Sequence, residues 1–277
     1  MHSANSNASS GAENYLARGF RDVDGASVDK IARCLRYLDS LSDFQRYKDQ
    51  ILELMGPRPG SMTADLGCGL GFDVRRLAQL VGPKGRAIGI DSSRLLLASA
   101  RSASEGLAGV DFVQADIRNL PFADGSLNSC KVDRVLQHVE QPDAVLRELF
   151  RSVSSSGHVV CAEPDWDTFA IDDDSGSALA AQIARRWAES FQNPRIGREL
   201  SVRLQETGFV QVRGHDCNLS TDTFASSDEV FDLTQTTSRF AASSGSMEPM
   251  HWLNGLRDPD THIRCSVTLV INFAVRP

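Results

Sequence analysis

The sequence predicts an α/β fold built on a parallel, doubly wound, Rossmann-like sheet. Three observations carry that expectation. Residues 64–73 read Ala-Asp-Leu-Gly-Cys-Gly-Leu-Gly-Phe-Asp, a glycine-rich turn. The turn joins a short, half-apolar strand pattern over 61–66 to a helical pattern over 72–81, where apolar residues fall at 74, 77, 78, 80 and 81. Strand and helix patterns then alternate, which gives a parallel sheet with right-handed crossovers.

In chain order, residues 1–14 are polar, lack the apolar run of a signal peptide and read as a disordered tail. A helical region over 15–56 follows. Its first helix runs from Val28 to Leu38 behind Ser27, and its second runs from Phe44 to Met55 behind Asp43 and ends at Gly56-Pro57. The main domain spans 57–277. Strand patterns at 85–91, 110–115, 129–134 and 158–162 interleave with helix patterns at 92–105 and 143–153. Pro164 reads as the stop of the fifth strand, which leaves Trp166 and Phe169 in a loop. Helices at 176–191 and 196–206, a strand at 208–218, a helical stretch at 225–256 and a strand at 264–275 complete the chain. The insertion at 219–262 and the N-terminal helices either roof a ligand or simply pack.

The chain has 277 residues and a net charge of -7, with no basic run longer than a pair, which argues against a nucleic-acid partner. Six cysteines are scattered without a C-x-x-C pair, as expected for reduced thiols in a cytoplasmic protein and not for a zinc site or disulfide framework. No apolar run has the length of a membrane span. The sequence leaves a homo-oligomer open.

Ligands of such sheets bind beyond the carboxyl ends of the strands. Gly67, Gly69 and Gly71 alternate at the turn, around Cys68, where a backbone must bend and a ligand approach closely. A dinucleotide fingerprint needs G-x-G-x-x-G, and here Phe72 stands at the last position. Asp91, followed by Ser92, closes an apolar run about 20 residues on. There it can accept from both hydroxyls of an adenosine ribose. Asp116 and Ile117 follow the next strand and can flank an adenine. A strand-end Asp is also a common helix cap.

Taken together, Asp65-x-Gly67-x-Gly69-x-Gly71, Gly89-Ile-Asp91-Ser92 and Gln114-Ala-Asp116-Ile-x-x-Leu120-Pro-Phe122 resemble the first three motifs of class I S-adenosylmethionine methyltransferases, nearest the ubiquinone/menaquinone-biosynthesis-like group. The resemblance covers about residues 45–165. It implies a seven-stranded sheet with the last strand antiparallel, S-adenosylmethionine as cofactor and no metal. The chain departs from the family pattern at Asn128 and at Ser154-Ser-Ser-Gly157, both sites of structural character. Over its whole length it is also similar to teleocidin-type enzymes that methylate a prenyl chain of an indole alkaloid, a likeness without a diagnostic motif.

Further site residues follow from that likeness. His138, beyond the fourth strand, is the candidate base. Asp133 would meet the cofactor ammonium, Arg46 its carboxylate, and Tyr15 would close over the same end. Trp166, Phe169 and Phe191 suggest an apolar small-molecule acceptor, with Phe224, Phe231, Phe240 and Trp252 as possible extensions. The expected activity is methyl transfer to carbon, with O-methylation through His138, a non-catalytic cofactor-binding subunit and an NAD-dependent oxidoreductase as alternatives.

Overall fold

The structure, a computed structural model, describes residues 16–277. The expected tail at 1–14 and Tyr15 lie outside the described residues. Three N-terminal helices, α1 (Leu16–Gly19), α2 (Val28–Ser40) and α3 (Ser42–Met55), precede β1 (Met62–Leu66) and α4 (Phe72–Val81). Then come β2 (Arg86–Asp91), α5 (Arg94–Ser102), β3 (Val110–Gln114), β4 (Leu127–Asp133), α6 (Pro142–Ser152) and β5 (Val153–Asp173). The chain closes with α7 (Leu179–Ala188), α8 (Ile196–Thr207), β6 (Val210–Thr221), α9 (Phe224–Phe231), α10 (Leu233–Ser244), α11 (Glu248–Gly255) and β7 (Ile263–Val275).

The seven strands form one sheet in the order β3-β2-β1-β4-β5-β7-β6. The first five pair in parallel, and β7 runs antiparallel to both neighbours. The strand order reverses between β1 and β4, and the crevice beyond their carboxyl ends is where such sheets bind ligands. One apolar core, around Ile90, Val132, Leu146 and Leu200, fills one side of the sheet. The other core joins α2, α3 and α4 to α7, α9 and α11. The N-terminal helices therefore belong to the same packed body as the insertion.

Local chemistry sets the helix ends. Gly56 stops α3 in the left-handed region at φ 58°, its N–H donating to Leu52 and Glu53 carbonyls. Ser27 precedes α2 as expected, but its side chain makes no cap bond. The helical stretch at 225–256 resolves into three short helices, and Asp232, at φ 49°, breaks α9 from α10.

The fifth strand departs from the sequence expectation. Pro164 does not stop it, since β5 runs on to Asp173, with Pro164 opposite Leu269 of β7. The reason is register. Ala162 turns its carbonyl toward β4, accepting from Arg134 N–H at 2.8 Å. Pro164, two residues on, faces the same side beyond the end of β4, where no ladder bond requires its missing N–H. A bulge follows between Asp165 and Ala170, where the Thr168 hydroxyl accepts from the Thr268 N–H at 2.9 Å. Trp166 and Phe169 lie in this bulge and are buried, each 7% exposed, not displayed on a loop.

Candidate active site

One cavity of about 810 Å³ lies beyond the carboxyl ends of β1, β2 and β4. Its floor is the glycine turn. Gly67 and Cys68 donate N–H bonds of 2.7 and 3.0 Å to the Ile90 carbonyl, tying the turn to β2. Gly67 sits at φ 74°, and a Cβ there would lie 2.3 Å from Val135 Cγ2, so glycine is required by packing as well as by conformation. At Gly69 a Cβ would meet Leu35 of α2 at 3.2 Å. The middle glycine of the turn is thus faced by an N-terminal helix.

Asp91 holds this floor from the end of β2. Its Oδ2 accepts from Gly69 N–H at 2.8 Å and its Oδ1 from Ser93 N–H at 2.9 Å. Burial pushes the carboxyl up, against the opposing effect of those bonds. The carboxylate still lines the cavity, as do Cys68 and Ser92. Asp116 and Ile117 line it at the β3 end, with Ile117 buried and Asp116 exposed. The Asp116 oxygens accept from Arg118 Nε at 3.0 Å each.

Beneath the turn lies a charge cluster of which the sequence singled out only Asp65 and Asp133. Lys131 of β4 is 2% exposed. Its Nζ lies 2.5 Å from Asp73, 3.3 Å from Asp65 and 3.6 Å from Asp133. Lys48 of α3 reaches Asp73 at 2.6 Å and also pairs with Asp133. Arg134 adds its Nε 3.5 Å from Asp133. Burial alone would raise the acids and lower the lysines. The neighbouring charges outweigh it, holding Asp73 and Asp133 below the usual carboxylate range and both lysines above theirs. At Asp65 burial wins over Lys131, and its pKa rises to about 6.

Helical spacing held the signal for Lys48. Residues 44, 48, 51, 52 and 55 share one face of α3, and four of them, Phe44, Ile51, Leu52 and Met55, are buried core. Lys48 is the cation on that face. Arg46 lies on the opposite face, three-quarters exposed and paired with Asp43, and it does not line the cavity. Lys131 is the lone cation of β4, a strand buried at every residue but Asn128.

The far end of the cavity is aromatic. Trp166 and Phe191 stack at 4.3 Å with their planes 13° apart, and Trp187 stands edge-on to both. Those three rings, Phe231 and Phe20 line the space. Phe169 does not. It packs behind, 4.7 Å from Phe231, because the β5 bulge turns it into the core. Phe224, Phe240 and Trp252 also stand away from the cavity.

His138 separates the polar and aromatic ends. Its ring lies 5.3 Å from Phe20 and 5.5 Å from Phe191. Burial, with the nearby Arg21 and Arg134 charges, lowers its pKa to about 3, so the imidazole is neutral throughout the physiological range. Its Nδ1 has no hydrogen-bond partner. The turn that carries it is held from behind by Glu163 at the end of the shared β4–β5 ladder. Glu163 Oε1 accepts from Val135 and Leu136 N–H at 2.7 and 2.6 Å. Gln137, in the same turn, accepts from Trp166 Nε1 at 2.6 Å and so fixes the indole.

The residues fit an adenosyl sulfonium amino acid. Gly67 and Gly69 of the turn line the cavity, Asp91 and Asp116 stand at successive strand ends, and opposed charges meet at Asp133. Among the described residues no group of His, Cys, Asp or Glu is arranged to hold a metal, and no helix is long and apolar enough to cross a membrane.

Comparison with known proteins agrees with this geometry. A family model described as a methyltransferase domain matches residues 58–196. The chain is 36% identical over 242 residues to an uncharacterized 37.1 kDa protein in transposon TN4556 of Streptomyces fradiae, covering 85% of this chain and 69% of that one. It is 30% identical over 229 residues to a ubiquinone/menaquinone biosynthesis C-methyltransferase of Ectopseudomonas mendocina, covering 72% and 88%. It spans about half the length, 53%, of a demethylmenaquinone methyltransferase of Lactococcus lactis. The solved structure of the YcgJ protein of Bacillus subtilis superposes with a TM-score of 0.60 over 84% of this chain and 98% of that one, and at 15% identity that likeness shows the fold alone.

Proposed function

As this chain belongs to the methyltransferase-domain family and is an S-adenosylmethionine-dependent methyltransferase, we propose that its acceptor is a small, largely apolar molecule methylated on carbon, best a carbon of a prenyl or terpenoid chain in secondary metabolism. The observation that carries this reading is the aromatic end of the cavity, closed by Trp166, Trp187, Phe191 and Phe231.

The cofactor supplies an electrophilic methyl group. In this reading Asp91 receives the ribose hydroxyls, Asp116 and Ile117 flank the adenine, and Ser92 and the Gly67–Gly69 backbone line its path. Asp133 meets the ammonium. Lys48 takes the carboxylate in the role first assigned to Arg46, bringing a point charge where arginine would bring a planar fork. The rings exclude water and orient an apolar chain. As the alkene carbon bonds the methyl, the methyl–sulfur bond breaks and S-adenosylhomocysteine is left; the ring faces stabilise the resulting cation by about 0.5–2 kcal/mol per well-placed ring until it loses a proton to water at the polar end of the cavity.

His138 serves as a wall and a neutral hydrogen-bonding group. A base with a pKa of about 3 takes protons poorly at neutral pH. A second reading, O-methylation, draws support from His138, which lines the same cavity and whose buried Nδ1 has no hydrogen-bond partner. Calorimetry with S-adenosylhomocysteine and with NAD tests the cofactor assignment. Incubation with methyl-labelled cofactor and a host metabolite extract, read by mass spectrometry, tests the acceptor class. A labelled product that is polar, or a macromolecule, would overturn the apolar assignment.

A further inference from the structure

The segment from Leu16 to Asp24 crosses the mouth of the cavity. Leu16, Ala17, Phe20, Arg21 and Val23 turn side chains into it. Three long-range ties hold the segment down. At one end, Leu16 N–H donates to Asp232 Oδ2 at 2.9 Å, and Lys30 pairs with Asp232 Oδ1 at 2.7 Å. In the middle, Arg21 Nη2 donates to the Ser190 carbonyl at 2.8 Å. At the other end the Asp24 carboxylate sits on the N-terminus of α5. It accepts from Ser93 Oγ at 2.5 Å, Arg94 N–H at 2.9 Å and Leu95 N–H at 3.3 Å.

That last tie is a helix cap supplied from seventy residues away in sequence. The first N–H groups of a helix have no partner of their own kind and accept any well-placed carboxylate. Here Ser93 already occupies the local cap position, its Oγ accepting from Leu96 N–H at 3.1 Å. Asp24 takes the donors that Ser93 leaves. The helix it caps starts three residues after Asp91, the residue placed at the ribose. The strap is therefore fastened beside the cofactor and not at a remote point.

We infer that Asp24 is a positioning residue that latches the N-terminal strap over the bound cofactor, so that cofactor and product leave only when this cap releases. The inference rests on the S-adenosylmethionine site proposed above. The latch acts on the rate of leaving, since a strap that must open before escape lengthens residence without touching the ligand.

Tritiated S-adenosylhomocysteine bound to the full chain and chased with unlabelled ligand measures that rate. Asp24→Ala should release it about tenfold faster, within the range expected for a lost cap. Asp24→Asn keeps an acceptor oxygen on the same helix end and should stay within about threefold of the native rate, because asparagine caps nearly as well as aspartate. Melting temperature in the absence of ligand should fall by only a few degrees in Asp24→Ala, the cost of one cap, and by less in Asp24→Asn. Should Asp24→Ala fail to fold, Ser93→Ala removes the partner hydroxyl and is expected to speed release in the same direction. Native release from a well-folded Asp24→Ala overturns the latch. So does equally fast release from Asp24→Ala and Asp24→Asn, which would point to charge beside Asp91 in place of capping. Failure of the native chain to bind S-adenosylhomocysteine at all would instead remove the cofactor reading beneath it.

Discussion

Asp91 has both oxygens committed to backbone N–H groups, one on the glycine turn and one on Ser93. It shapes the turn, and in the proposed site its remaining lone pairs would meet the ribose. Hydrogen bonds to a charged group contribute about 1.5–3 kcal/mol each. Asp91→Ala should therefore weaken S-adenosylhomocysteine binding at least tenfold by calorimetry, and an affinity within twofold of native would contradict the assignment. Lys131 gives a different prediction. Removing one partner of a buried ion cluster leaves uncompensated charge and costs about 3–5 kcal/mol. Lys131→Met should lower the denaturation midpoint accordingly, as followed by circular dichroism. His138 titrates in the opposite sense from an active-site base. Its folded-state pKa of about 3 lies below the ordinary 6.5, so the unfolded chain takes up the proton first. The stability held by the neutral ring is present above about pH 6.5 and is lost as pH falls toward 3. His138→Phe should melt with a shallower decline between pH 6 and 4 than the native protein, and parallel declines would show that the ring is not held neutral.

At the scale of elements, the sequence made the glycine turn and its flanking strand and helix legible, because local spacing determines them. The helix expected at 72–81 is α4 to the residue. What stayed illegible depended on neighbours distant in sequence. Pro164 is harmless only because β4 ends before it, and that register is invisible from the run Glu163-Pro-Asp-Trp. The same misreading moved Trp166 and Phe169 to a loop, when a bulge buries both and sends only Trp166 to the cavity. Arg46 and Lys48 show a readable case: helical spacing puts Lys48 on the apolar face of α3, where it lines the cavity, and leaves Arg46, the residue expected there, on the exposed face. The turn also yields a sharp test. A Cβ on Gly67 would overlap Val135 in the loop after β4, at a positive φ that side chains rarely adopt. Gly67→Ala should lower stability by about 1–3 kcal/mol. It should also abolish cofactor binding, because the turn cannot stay seated against β4. Unchanged binding by calorimetry would show that the turn tolerates displacement.

For the whole molecule, one cavity joins a charged end, built by β1, β4 and α3, to an aromatic end, built by β5, α7 and α9. The N-terminal helices and the insertion contribute to the same core, which explains why a segment that precedes the sheet in sequence and one inserted between its last two strands meet over its switch point. The central claim is that this arrangement delivers a methyl group to carbon on an apolar acceptor without His138 as base. Its most direct test is the product formed from trideuteromethyl-labelled S-adenosylmethionine, located by NMR, together with the pH dependence of its formation. The account predicts a new carbon–methyl bond, a rate nearly flat between pH 6 and 8, and near-native turnover in His138→Gln. A methyl ether whose formation rises with pH and falls about 10²–10⁴-fold in His138→Gln, the range for loss of a positioned base, would contradict it.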